Sequence, residues 1–252
     1  MQRNGNDMVI VDGRPLEEFA KMSIPAARCC PNGELALRAA EFAPNPETTV
    51  IVNCAGRTRS IIGAQTLIDM GVPNPVYAME NGTQGWTLAG MQLDEGRTGS
   101  LPEMPGTLEQ QQANAKALAD QHGVERIDAG TLQDCVKDQA RTVYVLDVRT
   151  AQERSEDPES LRATMTAHGV VHAPGGQLVQ ATDQWIGVRN AHVVVLDTEA
   201  VRAPVTAAWL RRIGHKSVIL EGGLNGLSEL EAQPSRSLWA PDDVPVIEPD
   251  AL

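Results

Sequence analysis

The sequence predicts an α/β protein of two tandem units, each a mainly parallel sheet flanked by helices. Three observations predict it. The chain has 252 residues, a length that fits two ordinary domains better than one. The same order of segments occurs twice along it. Within each copy, short β-branched runs alternate with helical stretches, which indicates βα units.

The first copy opens with VIVDGR (9–14) and the second with YVLDVR (144–149). In both, an apolar strand ends in Asp-x-Arg: Asp12 and Arg14, then Asp147 and Arg149. A short glycine-containing stretch follows, NGEL (32–35) and GGQL (175–178). Next come the apolar strands TVIVN (49–53) and HVVVL (192–196), each running into a loop and a helix. The helices are SIIGAQTLIDM, stopped at Gly71, and APVTAAWLRRI, stopped at Gly214. The strands PVYAM (75–79) and SVIL (217–220) then meet glycine turns, NGTQGW (81–86) and GGLNGL (222–227).

The second copy has an upstream strand and helix, VERIDAGTLQDCVKD, whereas the first has only eight residues before its first strand. The first copy is thus expected to lack its opening element. Two explanations stand: a fragment of a longer multi-domain protein, or a naturally short first domain. The expected domains are 1–95, catalytic; 96–124, a linker (DEGRTGSLPEMPG) and an exposed helix (EQQQANAKALADQ); 125–232, inactive; and 233–252, an extended tail.

Composition narrows the function. Aromatic residues are 3% of the chain, so the cores must be built from Val, Ile, Leu and Ala. The formal charge of −12 repels phosphate backbones and anionic lipid heads, so neither nucleic acid nor membrane is an expected partner. No apolar run reaches membrane-spanning length, and MQRNGND does not read as a signal peptide. The cysteines are Cys29, Cys30, Cys54 and Cys135. None has C-x-x-C spacing, so no metal site and no cofactor is expected, and reduced thiols in a cytoplasmic compartment are the reading.

The chemistry concentrates in one loop. TVIVN delivers Cys54 to the carboxyl end of the sheet, where ligands of open α/β sheets bind. The loop CAGRTRS comprises Cys54, Ala55, Gly56, Arg57, Thr58, Arg59 and Ser60, and leads into a helix N-terminus that favours an anion. A thiolate there is expected to be stabilised and nucleophilic. Arg57 and Arg59 add positive charge, and Gly56 allows a tight backbone curl.

Taken in this order and spacing, the Asp-x-Arg strand, the CAGRTRS loop and the NGTQGW turn resemble a rhodanese domain, over roughly 8–95 and 125–232. The layout is similar to proteins with several rhodanese domains in tandem. The resemblance implies a sulfurtransferase. A donor such as thiosulfate loads Cys54 as a persulfide, and a small-molecule acceptor, cyanide or a thiol, removes the outer sulfur. Ala55 to Ser60 would contact the substrate.

In the second copy the matching loop is DTEAVRA, with Asp197 at the cysteine position, and a carboxylate cannot form a persulfide. Asp12, Arg14, Arg59 and Gly82 keep counterparts in Asp147, Arg149, Arg202 and Gly223, which suggests fold support. Arg59 is expected to brace the loop against Asp12, whereas Arg57, replaced by Ala200, is the candidate donor contact. Cys29 and Cys30 follow SIPAAR and read as buried side chains, a second active-site thiol being the alternative. Cys135, Trp86 and Trp185 read as core residues, Arg38 as a solvated helix position.

Two other classes compete. Rhodanese-fold phosphatases and arsenate reductases have loops resembling C-x5-R; Arg59 follows Cys54 at C-x4-R, one residue shorter. A regulatory or sulfur-carrier binding module is the third reading, favoured by Asp197 for the second copy alone.

Overall fold

The computed structural model describes residues 7–138 and 140–230; the tail expected over 233–252 lies outside them. Two parallel sheets form from the repeated strands. The first contains β1 (Met8–Asp12), β2 (Arg28–Cys29), β3 (Thr49–Asn53) and β4 (Val76–Ala78), in the order β2-β1-β3-β4. The second contains β5 (Glu125–Ile127), β6 (Val143–Asp147), β7 (Val170–His172), β8 (His192–Leu196) and β9 (Ser217–Leu220), in the order β5-β9-β8-β6-β7. Removing β5 makes the two orders identical. The extra strand pairs with β9, and the matching edge of β4 has no strand partner among the described residues.

Val11, Val50 and Val52 in the first sheet and Val193, Val194 and Val195 in the second are buried, as strands covered on both faces require. Strands β1 and β6 end in the same buried knot. Asp12 accepts hydrogen bonds from Arg14 Nε (2.9 Å) and Nη2 (2.8 Å); Asp147 accepts from Arg149 Nε (3.0 Å) and Nη2 (2.9 Å). The fold-support reading of these residues rests on this pairing: a buried carboxylate and guanidinium are tolerated only together.

Both Gly-containing stretches open helices. NGEL begins α2 (Asn32–Phe42) and GGQL begins α9 (Gly175–Gln180). The remaining helices are α1 (Leu16–Lys21), α3 (Thr58–Asp69), α4 (Gly82–Leu88), α5 (Glu109–Gln121), α6 (Ala129–Lys137), α7 (Ala151–Glu156), α8 (Glu159–Ala167) and α10 (Arg202–Arg212). The NGTQGW turn is the first part of α4, entered through a left-handed Asn81.

The halves meet face to face along α2, α9 and α10. At Gly33 a Cβ would stand 2.8 Å from Gly176 N, and at Gly176 one would stand 2.7 Å from Gly33 N. Backbone approach this close admits only glycine. One apolar cluster crosses the junction, joining Ala36, Leu37 and Met70 to Val205, Ala208 and Leu210.

Three expectations change. The helix α5, read as exposed, buries Ala115, Leu118 and Ala119 against this cluster. Arg38 is not solvated: it is 7% exposed, bonds Glu34 Oε2 at 2.8 Å and donates to the Pro102 carbonyl, because the linker folds over α2. Cys135 is only half-buried and belongs to no core cluster among the described residues. Trp86 and Trp185 pack against the cores while keeping part of their surface exposed.

Candidate active site

The strand β3 is an interior strand, hydrogen-bonded to β1 and β4, and Cys54 is the first residue beyond it. The thiol is 1% exposed, and all four cysteines are free. Four residues later α3 begins. Arg57 stands at its N-cap and supplies no side-chain acceptor, so the first-turn N–H groups lack a side-chain cap. The positive end of the α3 dipole therefore lies on the cysteine loop.

Beneath the loop, the α4 turn holds it from below. Thr83 N donates to the Cys54 carbonyl at 2.9 Å and Gln84 N to the Ala55 carbonyl at 3.1 Å. Gly82 has φ 53°, and a Cβ there would sit 2.0 Å from the Cys54 carbonyl oxygen. Both the left-handed backbone and the close approach demand glycine. Ser60 Oγ lies 3.5 Å from Cys54 Sγ, and donates to the Arg57 carbonyl at 2.9 Å.

The two loop arginines part company. Arg57 and Thr58 are exposed, and the Arg57 guanidinium has no partner among the described residues. Arg59 turns to α1, where its Nη1 and Nη2 donate to Glu18 Oε1 and Oε2 at 2.7 and 2.8 Å. Hydrogen bonding to Arg59 lowers the Glu18 carboxyl below its usual range. Burial alone would lower Arg59, but Glu18 outweighs it and raises it. Bracing of Arg59 against Asp12 is thus corrected: Asp12 is saturated by Arg14 and by Asn53 Nδ2 at 2.8 Å. Asn32 Nδ2 completes the support with a 2.8 Å bond to the Arg59 carbonyl.

The second loop repeats the support with a different centre. Gly223 has φ 54°, and its Cβ would lie 2.1 Å from the Asp197 carbonyl oxygen. Arg202 Nη1 and Nη2 bind Glu153, each at 2.6 Å, the counterpart of the Arg59–Glu18 pair. Asp197 accepts backbone N–H bonds from Ala200 (3.0 Å), Val201 (3.0 Å) and Ala203 (2.9 Å). It thereby caps α10. Burial and the neighbouring Glu199 push its carboxyl up to about 7, against the pull of those N–H groups. The loops differ at their fourth residue: Ala200 is left-handed (φ 57°), whereas Arg57 is not (φ −125°).

Glu18, Asn32 and Glu153 escaped the sequence reading. The signal was present: Glu18 follows Asp12 by the interval that separates Glu153 from Asp147. Cys29 and Cys30 are buried in two apolar clusters. Desolvation raises both thiols, Cys29 to about 12, which keeps them protonated at neutral pH. Among the described residues no His, Cys, Asp and Glu grouping could hold a metal ion, and no helix is long and apolar enough to cross a membrane.

The profile of the family described as the rhodanese-like domain matches residues 1–89. No curated protein matches the chain significantly. Among solved structures, the chain is similar to the thiosulfate sulfurtransferase from Pseudomonas aeruginosa, with 44% identity and a TM-score of 0.80 over 91% of this chain. It spans 43% of that protein's length. A protein of unknown function from Rhodopseudomonas palustris, described as a possible tyrosine phosphatase, is 31% identical over 37% of this chain and 75% of its own, with a TM-score of 0.32. A Rhodanese-like domain from Anabaena is 19% identical over 36% of this chain and 94% of its own, with a TM-score of 0.33. With the family's profile on residues 1–89 and a 44%-identical structural relative aligned along 91% of its length, the chain belongs to the rhodanese-like family.

Proposed function

We propose that the first half, residues 1–95, is a sulfurtransferase that carries sulfane sulfur on Cys54, and that the second, residues 125–232, has no sulfur chemistry of its own. One observation carries this reading. The helix N-terminus that Asp197 caps with a carboxylate in the second half is left uncapped beside Cys54 in the first. A cysteine persulfide places its negative outer sulfur two bonds beyond Cβ, as an aspartate places its oxygen. The first half, with Gly56 in place of the Glu199 that raises Asp197, therefore offers a thiol-borne anion the N–H site that Asp197 occupies in its sister.

The steps follow. The Cys54 thiolate attacks the outer sulfur of thiosulfate, forming an S–S bond. The donor's own S–S bond breaks, and sulfite leaves with the electron pair. An acceptor nucleophile, cyanide or a thiol, then attacks the outer sulfur and returns Cys54 as thiolate. Arg57, exposed and unpaired, would meet the donor's sulfonate end; Ala55, Gly56, Thr58 and Ser60 line the same loop, and Arg59 holds it in place. The name of the Pseudomonas relative supports thiosulfate as donor. A C-x4-R loop is one residue shorter than the phosphatase type, which favours a sulfur atom over a tetrahedral phosphate. Four free thiols suit a reducing, cytoplasmic compartment.

Intact-protein mass spectrometry tests the reading. Thiosulfate should add one sulfur atom, mapped to Cys54 and removed by cyanide. Persistent turnover in Cys54→Ser would defeat it.

A further inference from the structure

The second half grips two of the helices around the cysteine loop, α2 and α3. Arg202 is 1% exposed in its side chain, and every donor is engaged: Nε and Nη2 by Glu199, Nη1 and Nη2 by Glu153, and Nη1 also by Glu34 at 2.9 Å. Glu34 lies in the first turn of α2 in the other half, 3% exposed and also bonded to Arg38. That same turn carries Asn32, whose amide holds the Arg59 carbonyl inside the cysteine loop. On α3, which leaves the loop, Trp209 Nε1 donates to Thr66 Oγ1 at 2.8 Å, and Arg212 makes a 2.6 Å charge contact with Asp69.

This grip runs one way. By the internal repeat, Arg59 corresponds to Arg202 and Gln177 to Glu34. No Arg59–Gln177 bond occurs among the described residues, although both side chains border a cavity of about 380 Å³ between the halves. Glu199, which stands where the first loop has Gly56, clamps Arg202 on a second side. Two changes in the second loop thus act together: Asp197 removes the nucleophile, and Glu199 fixes the arginine that reaches across.

Resting on the sulfurtransferase reading, we infer that the second half is a positioning element, its Arg202 holding Glu34 and thereby the α2 turn against which the Cys54 loop is set. Glu34 and Arg202 touch no substrate; they act through Asn32 and the Arg59 carbonyl.

The test separates positioning from folding. Glu34→Gln removes the charge that Arg202 holds, and Gln177 shows that glutamine is accommodated at the matching site of α9. Two quantities are measured in the full chain: the sulfur loaded per chain by thiosulfate, by mass, and the rate constants for loading and for discharge by cyanide. The expected result is parent-like loading of one sulfur per chain, with both rate constants roughly tenfold lower. Unchanged rate constants per loaded site, with only the loaded fraction or the Tm reduced, would show a merely structural contact and overturn the inference. Should Glu34→Gln fail to fold, Glu34→Asp, which keeps the charge but draws it back from Arg202 by one methylene, is measured in the same way, and the same two results decide. A parent chain that takes up no sulfur on Cys54 would instead sink the sulfurtransferase reading, and this inference with it.

Discussion

Replacing the two loop arginines one at a time should separate substrate contact from loop support. Arg59 is 12% exposed in its side chain and shares two charged hydrogen bonds with Glu18. A charge-assisted bond contributes about 1.5–3 kcal/mol when well shielded. Glu18 is 39% exposed, so it regains water when Arg59 is lost, and solvent screening discounts the figure to about 1–2 kcal/mol. For a protein of this size that lowers the Tm by roughly 2–8 °C. Activity should fall with it, since the loop loses its anchor. Arg57 is exposed and supports nothing, so Arg57→Ala should leave the Tm within about 1 °C, as surface changes do. It should lower kcat/KM for thiosulfate by one to two powers of ten, the cost of about 1.5–3 kcal/mol of lost charged contact. Steady-state thiosulfate–cyanide turnover and thermal unfolding, run side by side, read both. If Arg57→Ala melted early while Arg59→Ala stayed stable and merely bound donor weakly, the division of labour drawn from the Glu18 pair would be reversed.

Two further outcomes follow from the second half. Asp197→Asn keeps one acceptor oxygen but turns the other into an NH2 group facing backbone N–H donors, so the Tm should fall while sulfur transfer per folded chain stays at the parent value; a large loss of turnover with folding intact would place Asp197 in the chemistry. The pH dependence of stability should carry the mark of Glu153: burial alone would raise its carboxyl, but Arg202 outweighs that and holds it at about 2. Because the folded-state value is depressed, its contribution, on the order of 3 kcal/mol, is present above the unfolded value near 4.5 and disappears as pH falls toward 2. Acid unfolding of Glu153→Gln should therefore show a shallower decline across that window, and an identical decline would remove Arg202–Glu153 as a source of stability.

The longer strands were legible in the sequence because covered parallel strands write themselves as apolar runs, whereas the short edge strands β2 and β7 and the lateral order of the strands were not. TVIVN, HVVVL and SVIL coincide with β3, β8 and β9, and the extra strand of the second copy lies where VERI stands. Cys54 was legible for a related reason: its position depends only on the strand before it and the helix after it. That Asp197 stands at the cysteine position of the second copy needed only the repeat.

What escaped the sequence was whatever depends on a partner from elsewhere in the chain. Arg38 belongs to a helical pattern that could equally face water; only the linker laid over α2 buries it. Asp12 and Glu18 are both acidic residues ahead of the loop, and only the prior claim of Arg14 on Asp12 sends Arg59 to Glu18. Gly33 and Gly176 read as turn residues, and the tertiary structure makes them the point where two backbones touch. The same holds for Arg202, whose sequence neighbours reveal its bond to Glu199 but not its reach to Glu34 in the other half. Local patterns determine which segments are strands and which residue ends them; charge pairing and close packing are decided by three-dimensional neighbours, which the order of residues does not specify.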